Sequence, residues 1–496
     1  MTNRKPPKTL QWGLAGLSLL LAAPALALPE GNSIDFENCT LSMPGVPLTA
    51  AARCGFLERP ENPDAPDGKR ISIHVAVAEA SSQTPAADPL FFFAGGPGQA
   101  ASESWIIMRN SLAEVRKNRD IVLIDQRGTG QSNALRCSNE YRDEALSLDT
   151  ALDLELLVSQ TEECLAQLDG DPRYYTTTIA MQDIDAVRQA MGYEQVNLLG
   201  VSYGTRAAQV YLREFPDSVR SVVLDSVVPM QLALGQEHAP MLDKAVRKVL
   251  AACAADADCS ERYPDQLPQL NALIEELRAQ PRAVTMINPV TGLTENVTLS
   301  ADVLAVAIRF LSYSSENQAM LPLLIHEAVT SGNLERLASQ AVLVMGGLID
   351  SLSRGMELSV SCSEDYPYLN TAEDQSDTLL GNQLLQIIAA QCEVWPRGVV
   401  PEDFHAAVAS DLPVLLLSGE RDPVTPPEYA TQAAASFSDH LNLVGRGLGH
   451  SVLRHRCLQE ITTSFIETAS TSEPDTTCLE TIDGAPFFTS LLGPEP

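Results

Sequence analysis

The sequence predicts an α/β fold with a mostly parallel sheet, helices on both faces and a large helical insertion. Short, continuously apolar segments alternate with segments of helical periodicity, which is typical of strands buried on both faces of a parallel sheet. Helices at 181–191 and 205–214 flank one of these segments, and the apolar alternation of 71–77 indicates a further strand before the first. The predicted core strands are residues 90–93, 121–124, 196–199, 221–224, 414–417 and 441–444.

The alternation of strands and helices stops after Pro229, and residues 230–408 have the pattern of successive amphipathic helices. An insertion between two strands of a parallel sheet lies at the sheet's carboxyl edge, where ligands bind in such folds. We therefore expect 230–408 to cap an active site. Its predicted elements are helices at 239–255, 266–279, 301–311, 318–329 and 334–352, with a hairpin near 289–292. The other predicted divisions are a signal peptide (1–27), an N-terminal β region (28–88) and the two parts of the α/β core (89–229 and 409–496).

The N-terminus has the pattern of a secretory signal peptide. Three basic residues precede a short apolar run and the small-residue signal Ala25-Leu26-Ala27, so we expect cleavage after Ala27. An uncleaved anchor is the alternative, but the apolar run is shorter than the roughly 20 residues that a spanning helix needs. The sequence therefore predicts an exported protein, periplasmic or secreted, with no stable membrane insertion after cleavage.

Charge and cysteine content narrow the class of protein further. The formal net charge of −31 argues against nucleic acid or an anionic membrane as a partner, because both need a basic surface. The 10 cysteines of an exported chain suggest five disulfides, and no C-x-x-C motif or His-rich cluster indicates a metal, so we expect no cofactor. The spacing favours the neighbouring pairs Cys39–Cys54, Cys137–Cys164, Cys253–Cys259, Cys362–Cys392 and Cys457–Cys478.

The segment Gly200-Val201-Ser202-Tyr203-Gly204 carries the candidate nucleophile. It matches the pattern G-x-S-x-G and lies between a predicted strand and a predicted helix, which is the context in which this pattern forms a nucleophile elbow. The glycines allow a sharp turn that lifts the serine hydroxyl above the sheet. We therefore predict that Ser202 is a catalytic nucleophile.

A serine nucleophile needs a base, and His450 is the predicted one. It follows the last predicted strand in a glycine-rich loop that could bring an imidazole to the sheet edge. His455 is the nearest rival, but it falls within a predicted helix, 451–460. The remaining histidines lie before the nucleophile, in the insertion or on predicted helices.

The base needs an acid, and in this kind of fold the chain order is Ser, acid, His. Asp422 follows the predicted strand 414–417 and precedes His450 by the length of one helix, so we predict that it orients the imidazole. Asp225, at the end of the strand after the nucleophile helix, is the main alternative. Glu420 is closer to the strand but is expected to be a solvated loop charge.

A tetrahedral intermediate needs two backbone N–H donors near the nucleophile. The residue after the nucleophile, Tyr203, supplies one of them. The segment Ala94-Gly95-Gly96-Pro97-Gly98 follows an early strand, and we predict Gly96 as the second donor. An ordinary glycine turn is the alternative for this loop.

Four segments carry a family resemblance: Gly95-Gly96-Pro97-Gly98, Asp125-Gln126-Arg127-Gly128-Thr129-Gly130-Gln131-Ser132, the elbow with Thr205-Arg206, and Gly419-Glu420-Arg421-Asp422-Pro423-Val424-Thr425-Pro426 with Gly449-His450. Together they resemble the prolyl aminopeptidase and tripeptidyl aminopeptidase family of α/β-hydrolases. Residues 399–478 resemble the C-terminal region of the tripeptidyl branch (TAP-like). The family often has His where this chain has Ala94, which puts local bracing of the loop in doubt but not the backbone donor. Asp125 and Arg127 look structural.

The resemblance implies an exopeptidase that binds peptides with a free N-terminus and anchors the amino group with carboxylates of the cap. The candidates here are Glu364 and Asp365, and an exposed acidic loop is the alternative for this pair. The leading hypothesis is therefore an exported serine aminopeptidase that works through an acyl-enzyme. A carboxylesterase with the same three residues and a non-catalytic binding protein on the same fold are the alternatives.

Overall fold

The computed structural model describes residues 1–3, 33–137, 152–472 and 474–494, with the backbone alone described for 344–350. The predicted signal peptide, 1–27, lies outside the described residues except for the first three. None of the described helices is long and apolar enough to span a bilayer.

A single nine-stranded sheet runs through the described residues in the order β1-β2-β3-β5-β4-β6-β7-β10-β11. The neighbouring pairs β5–β4, β4–β6, β6–β7, β7–β10 and β10–β11 are parallel. Strands β1, β2 and β3 extend the β5 edge of the sheet through antiparallel pairs. The strands are β1 (Glu37–Met43), β2 (Val46–Pro60), β3 (Arg70–Ala78), β4 (Leu90–Phe93), β5 (Ile121–Ile124), β6 (Val196–Val201), β7 (Val219–Asp225), β10 (Val414–Gly419) and β11 (His440–Gly445).

Helices cover both faces of the parallel part of the sheet. The all-apolar strands β4 and β5 are buried throughout, because each face packs against a separate apolar cluster. The helices of this part are α1 (Ala101–Met108), α2 (Val115–Asn118), α3 (Leu154–Gln167), α4 (Thr177–Ala190), α5 (Tyr203–Glu214), α15 (Pro427–Ala434) and α16 (Arg456–Thr468).

The segment between β7 and β10 is mainly helical and has a hydrophobic core of its own, which includes residues of the hairpin β8–β9. Its helix α9 begins after Ser300, whose hydroxyl accepts a hydrogen bond from the backbone N–H of Val303. The elements are α6 (His238–Ala255), α7 (Ala257–Arg262), α8 (Gln266–Ala279), β8 (Arg282–Ile287), β9 (Thr294–Leu299), α9 (Ala301–Leu311), α10 (Ser315–Gln318), α11 (Leu321–Thr330), α12 (Glu335–Ser351), α13 (Arg354–Val360) and α14 (Gln383–Val394).

The predicted helix at 451–460 is wrong. The structure has a short 3₁₀ turn, Val452–Arg454, and α16 starts only at Arg456, so His455 stands immediately before a helix rather than inside one. The backbone of Ser451 has a positive φ of 63°, which is incompatible with a right-handed helix at that position.

All five predicted disulfide pairs are present: Cys39–Cys54, Cys137–Cys164, Cys253–Cys259, Cys362–Cys392 and Cys457–Cys478. Each closes a loop of 30 residues or fewer. The Cys362–Cys392 bond ties α14 to the π-helical segment Ser361–Asp365, which continues α13. Two of the bonds therefore lie within the segment between β7 and β10, and three lie outside it.

Candidate active site

Ser202 lies on a sharp turn between β6 and α5. Its backbone has φ 57° and ψ −127°, a conformation that an L-residue adopts only when its surroundings hold it there. The Ser202 N–H donates to the Asp225 carbonyl oxygen at 2.9 Å, and the Thr205 N–H and hydroxyl both donate to the Ser202 carbonyl oxygen. A Cβ atom on Gly204 would come within 2.2 Å of the Phe93 carbonyl oxygen, so the turn tolerates only glycine there.

His450 and Asp422 meet at the carboxyl edge of the sheet. The imidazole Nδ1 lies 2.8 Å from Asp422 Oδ2. The other oxygen of Asp422 accepts hydrogen bonds from the backbone N–H groups of Val424 and Thr425, both at 2.8 Å. The Tyr313 ring packs against the imidazole at 5.0 Å between centroids, and the Tyr313 carbonyl accepts the His450 backbone N–H. The imidazole is thus fixed from the sheet side and from the inserted segment.

The pKa values of this pair shift in opposite directions. Burial works against the charged form of the imidazole, but the Asp422 charge and hydrogen bond outweigh it and raise the pKa of His450 above its usual value. Burial likewise disfavours the Asp422 carboxylate, and His450 and the two backbone donors outweigh it and lower the pKa of Asp422. Asp422 is therefore ionised and can stabilise a proton taken up by His450.

The alternative acids have other partners. Asp225 is fully buried and accepts the backbone N–H groups of Val452 and Leu453 at 2.9 and 3.1 Å, so it holds the turn that follows His450. Burial raises the pKa of Asp225. Glu420 accepts the Gly447 N–H at 2.8 Å. No hydrogen bond joins the Ser202 hydroxyl to the imidazole among the described residues, which is common in unliganded enzymes because such contacts tighten when substrate binds.

Ser202 opens into a cavity of about 340 Å³ between the sheet edge and the inserted helices. Gly96, Pro97 and Tyr203 line it from the sheet side. The opposite wall is formed by side chains of α9, α13 and α14, most of them apolar. Its polar wall residues include His238, Arg309, Arg354, Glu357 and Gln391. The serine therefore faces a pocket that is mostly apolar, as is typical of small-molecule and peptide sites.

The predicted oxyanion donors Gly96 and Tyr203 both line this cavity. Among the described residues, neither backbone N–H donates to another group. Gly96 has a positive φ of 106°, a backbone conformation that residues with a side chain rarely adopt. The neighbouring Gly95 lies against Ser202. Both N–H groups are thus free to bind an oxyanion near the serine.

The predicted amine anchors Glu364 and Asp365 lie elsewhere. Both are fully buried and neither lines the cavity, so the structure does not place a carboxylate of this pair where a substrate ammonium could reach it. Asp365 forms a buried ion pair with Arg206 at 2.7 Å. Glu364 accepts the Thr177 N–H and hydroxyl at 2.6 and 2.8 Å, and the Thr177 hydroxyl lies 2.6 Å from that of Tyr203. These carboxylates brace the helix that begins at the nucleophile.

Asp125 and Arg127 are also bracing residues, as the sequence suggested. Asp125 accepts the N–H and hydroxyl of Ser102 and lies 2.9 Å from the His74 imidazole. The Arg127 guanidinium pairs with Asp183 through two nitrogens at 2.7 and 2.9 Å. Neither residue lines the cavity.

Sequence reasoning missed three side chains of the site. The Thr425 hydroxyl donates a hydrogen bond to Asp422, and its oxygen lies 3.1 Å from His450 Nδ1. A Thr three residues after an Asp in a predicted turn was the sequence pattern that could have indicated it. Tyr313 and Arg309 belong to the inserted segment, and nothing in the helical periodicity marks either of them. Within the described ranges, no group of His, Cys, Asp or Glu side chains has the arrangement of a metal site.

Two family models match the chain. A model described as alpha/beta hydrolase fold matches residues 88–259, and one described as TAP-like protein matches residues 377–478. These matches, with the sheet topology, confirm the predicted fold class: the protein is an α/β-hydrolase.

Curated relatives extend over most of the chain. It is 24% identical to the putative hydrolase YuaR of Escherichia coli (strain K12) over 461 residues, which cover 86% of this chain and 87% of the relative. It is 22% identical to serine protease Hip1 of Mycobacterium tuberculosis (strain ATCC 25618 / H37Rv) over 491 residues, covering 90% and 91%. It is 24% identical to the tripeptidyl aminopeptidase of Streptomyces lividans over 498 residues, covering 92% and 88%. The predicted resemblance is confirmed, because the chain is similar over most of its length to proteins named as a serine protease and a tripeptidyl aminopeptidase.

Proposed function

We propose that this protein is an exported serine aminopeptidase that releases N-terminal residues or short peptides, as prolyl and tripeptidyl aminopeptidases do. Ser202 is the nucleophile, His450 the general base and Asp422 the acid that orients it. The observation that carries the proposal is the His450–Asp422 hydrogen bond at the sheet edge where the Ser202 turn opens into a cavity. The names of the relatives support peptides as substrates.

Each step of acyl transfer has a group in position. The proton held on His450 Nδ1 by Asp422 leaves Nε2 free to accept the Ser202 proton as the hydroxyl attacks the scissile carbonyl. The N–H groups of Gly96 and Tyr203 stabilise the oxyanion that forms. His450 then protonates the leaving amine. In the second half of the cycle His450 accepts a proton from water as the water attacks the acyl-enzyme, and it returns that proton to the Ser202 oxygen.

The amino group of the substrate needs a carboxylate in the cavity. Glu357 is the one acidic residue among the described residues that line it, and it forms an ion pair with Arg354. An ammonium entering the cavity would meet Glu357 rather than the buried Glu364 or Asp365. We therefore assign the anchoring of a free N-terminus to Glu357.

Export is part of the proposal. Five disulfides are typical of proteins that fold in an oxidising compartment. Expression of the full chain in a bacterial host should give a mature protein that begins at Leu28, outside the cytoplasm. Intact-mass measurement of the fractionated cells checks this, and a cytoplasmic product that retains residues 1–27 would refute it.

One panel of substrates tests the activity. The purified protein is offered aminoacyl, prolyl and tripeptidyl nitroanilides, the same peptides with an acetylated N-terminus, and short-chain nitrophenyl esters, with Ser202→Ala as the control. We expect the free peptides to be cleaved, the acetylated ones to be cleaved poorly, and the control to be inactive. Glu357→Gln should abolish the preference for a free amino group.

The other outcomes separate the alternatives. Turnover of esters without turnover of amides would indicate a carboxylesterase. Equal cleavage of free and acetylated peptides would remove the amine anchor but leave a peptidase. Wild-type protein that matches the Ser202→Ala control on every substrate would indicate a binding protein.

A further inference from the structure

Among the described residues, one cation that lines the cavity has no acidic partner. Arg309 lies in the last turn of α9 and lines the cavity, and it is only 8% exposed. Its Nη1 is fully buried and has no hydrogen-bond partner within residues 33–137 and 152–494 as far as they are described. The other arginine of the lining, Arg354, is paired with Glu357 and donates to Gln391 at 2.7 Å. Arg309 is thus the unpaired charge of this wall.

Leaving a buried guanidinium nitrogen unsatisfied is unfavourable, because the group has lost water and gained no acceptor. A position near the carbonyl end of its own helix favours a positive charge at Arg309, but it supplies no hydrogen bond to Nη1. A ligand anion in the cavity would not reach the enclosed Nη1, but it would pair with the part of the same charged group that lines the cavity. The cost of the unpaired charge would then be offset on binding.

The charges around Arg309 favour an anion over a second cation. Burial and the Arg309 charge lower the pKa of His238, so the neighbouring imidazole stays neutral. Glu357, assigned above to the substrate's amino group, forms an ion pair with Arg354, and the two together add no net charge to the cavity. The described part of the cavity therefore carries one net positive charge, although the whole chain has a formal net charge of −31. A positive pocket inside a strongly acidic protein selects among anions by local contact rather than by long-range attraction.

The position of Arg309 relates it to the reacting atoms. Tyr313, about one turn further along the chain, packs on His450, and the Arg309 charge acts on the pKa of that imidazole. Arg309 and Ser202 line the same cavity, so a group bound by Arg309 would share that cavity with the bond that Ser202 attacks. Phe310, Leu384 and Ile388 line the same cavity and provide an apolar surface for the body of the ligand.

We propose that Arg309 is a specificity-determining residue that binds a carboxylate of the peptide next to the scissile bond. The proposal rests on the peptidase function proposed above and adds its substrate class. The carboxylate can be an Asp or Glu side chain, or the C-terminal carboxylate of a short peptide. Both would accept a bidentate hydrogen bond from the guanidinium.

Matched substrates separate these two sources. The first arm compares Ala-Ala-Glu-nitroanilide with Ala-Ala-Gln-nitroanilide, and the second compares tetra-alanine with its C-terminal amide. In one of the arms the acid should have a kcat/KM about 10- to 100-fold above that of its neutral partner, which is what a charge-assisted hydrogen bond contributes. A ratio of about one in both arms overturns the proposal, and it does so without affecting the peptidase assignment.

Variants assign the preference to this side chain. Arg309→Met should reduce the ratio of acid to neutral kcat/KM to about one, with the two substrates of each pair compared on the same variant, and Arg309→Lys should restore part of the ratio. Arg336→Met removes an arginine of the inserted segment that is paired with Glu327 and does not line the cavity, and its ratio should stay that of the wild type. A ratio that survives in Arg309→Met refutes the role of Arg309. If Arg309→Met fails to fold, as judged by circular dichroism, the Lys variant against wild type decides.

A binding measurement keeps the two proposals distinguishable. Calorimetry on Ser202→Ala with Ala-Ala-Glu-amide, Ala-Ala-Gln-amide, tri-alanine and tri-alanine amide reports carboxylate recognition without turnover. An acid that binds about tenfold or more tightly supports Arg309 even if no peptide is cleaved. Equal binding of acids and amides, or no binding of any peptide, overturns it.

Discussion

At the scale of single residues, Ser202 shows how the fold holds a reactive group in a strained position. A non-glycine residue in such a backbone region costs of order 1–3 kcal/mol, and the surroundings must supply that energy. Thr205 contributes directly, since its hydroxyl donates to the Ser202 carbonyl and accepts the Val228 N–H at 2.8 Å. The Asp225 carbonyl fixes the other side of the turn. The turn is therefore held by hydrogen bonds to β7, to the residue Val228 that follows it, and to the first turn of α5.

The His450–Asp422 pair predicts the pH dependence of peptide hydrolysis. The base must be neutral to accept a proton, so kcat/KM should fall as the pH drops through the pKa of His450. Because Asp422 raises that pKa, the midpoint of the acid limb should lie above about 6.5, the ordinary value for histidine. Asp422→Asn should lower kcat by roughly 10³- to 10⁴-fold and move the midpoint to lower pH.

Asp225→Asn provides the matched control for that profile. Asp225 binds the backbone after His450, so its replacement should lower stability, and because its charge raises the pKa of His450 less than Asp422 does, it should move the acid limb less than Asp422→Asn. Profiles of kcat/KM between about pH 5 and 9 for the three proteins measure both effects. If Asp225→Asn lost the acid limb and Asp422→Asn kept it, the acid would be misassigned.

At the scale of elements, a helix or strand was predicted correctly where its own residues determine it, and incorrectly where a distant residue does. Strands 90–93 and 121–124 were predicted to the residue because each is a short, continuously apolar run that is buried on both faces. The helix at 451–460 was mispredicted because a distant residue, Asp225, binds the turn there. Glu364 and Asp365 are adjacent in a polar stretch, and only the fold shows that Thr177 and Arg206 enclose them. The periodicity of apolar residues does not predict contacts between residues that are distant in sequence.

The π-helical segment that carries Glu364 predicts a second pH effect, on stability. Burial raises the pKa of Glu364 to about 7, above its value of 4.5 in an unfolded chain. The folded state then binds more protons than the unfolded state between these two values. The free energy of unfolding should therefore fall as the pH rises from about 4.5 to about 7.

Glu364→Gln removes this titration and keeps an acceptor for Thr177. The difference in unfolding free energy between the variant and the wild type should move in favour of the variant as the pH rises through this window, and become constant above it. Urea unfolding at several pH values measures that difference. A difference that does not change with pH would mean that Glu364 is ionised throughout.

At the scale of the whole molecule, the cysteine pairing was predictable because every bond joins cysteines that are neighbours among the cysteines of the chain. The arrangement of the inserted helices over the sheet was not, because it depends on side chains that meet only in the folded protein. Tyr313 against His450 is the clearest case: the two residues are far apart in sequence, and one packs on the other to close the site. The triad residues could be proposed from motifs, whereas the cavity wall could not.

The two disulfides within the inserted segment predict different responses to the loss of a cross-link. Removing a bond releases chain entropy in the unfolded state, and the effect grows with loop length. Cys362–Cys392 spans 30 residues and Cys253–Cys259 spans 6, so replacing both cysteines by Ala should cost about 3–4 kcal/mol of unfolding free energy in the first case and about 2 kcal/mol in the second.

Cys392 also lines the cavity, whereas Cys253 does not. Loss of the longer bond should therefore reduce kcat/KM as well as stability, while loss of the shorter one should reduce stability alone. Chemical unfolding and peptide turnover of the two double variants test this, and equal losses of activity would show that the Cys362–Cys392 bond does not shape the site.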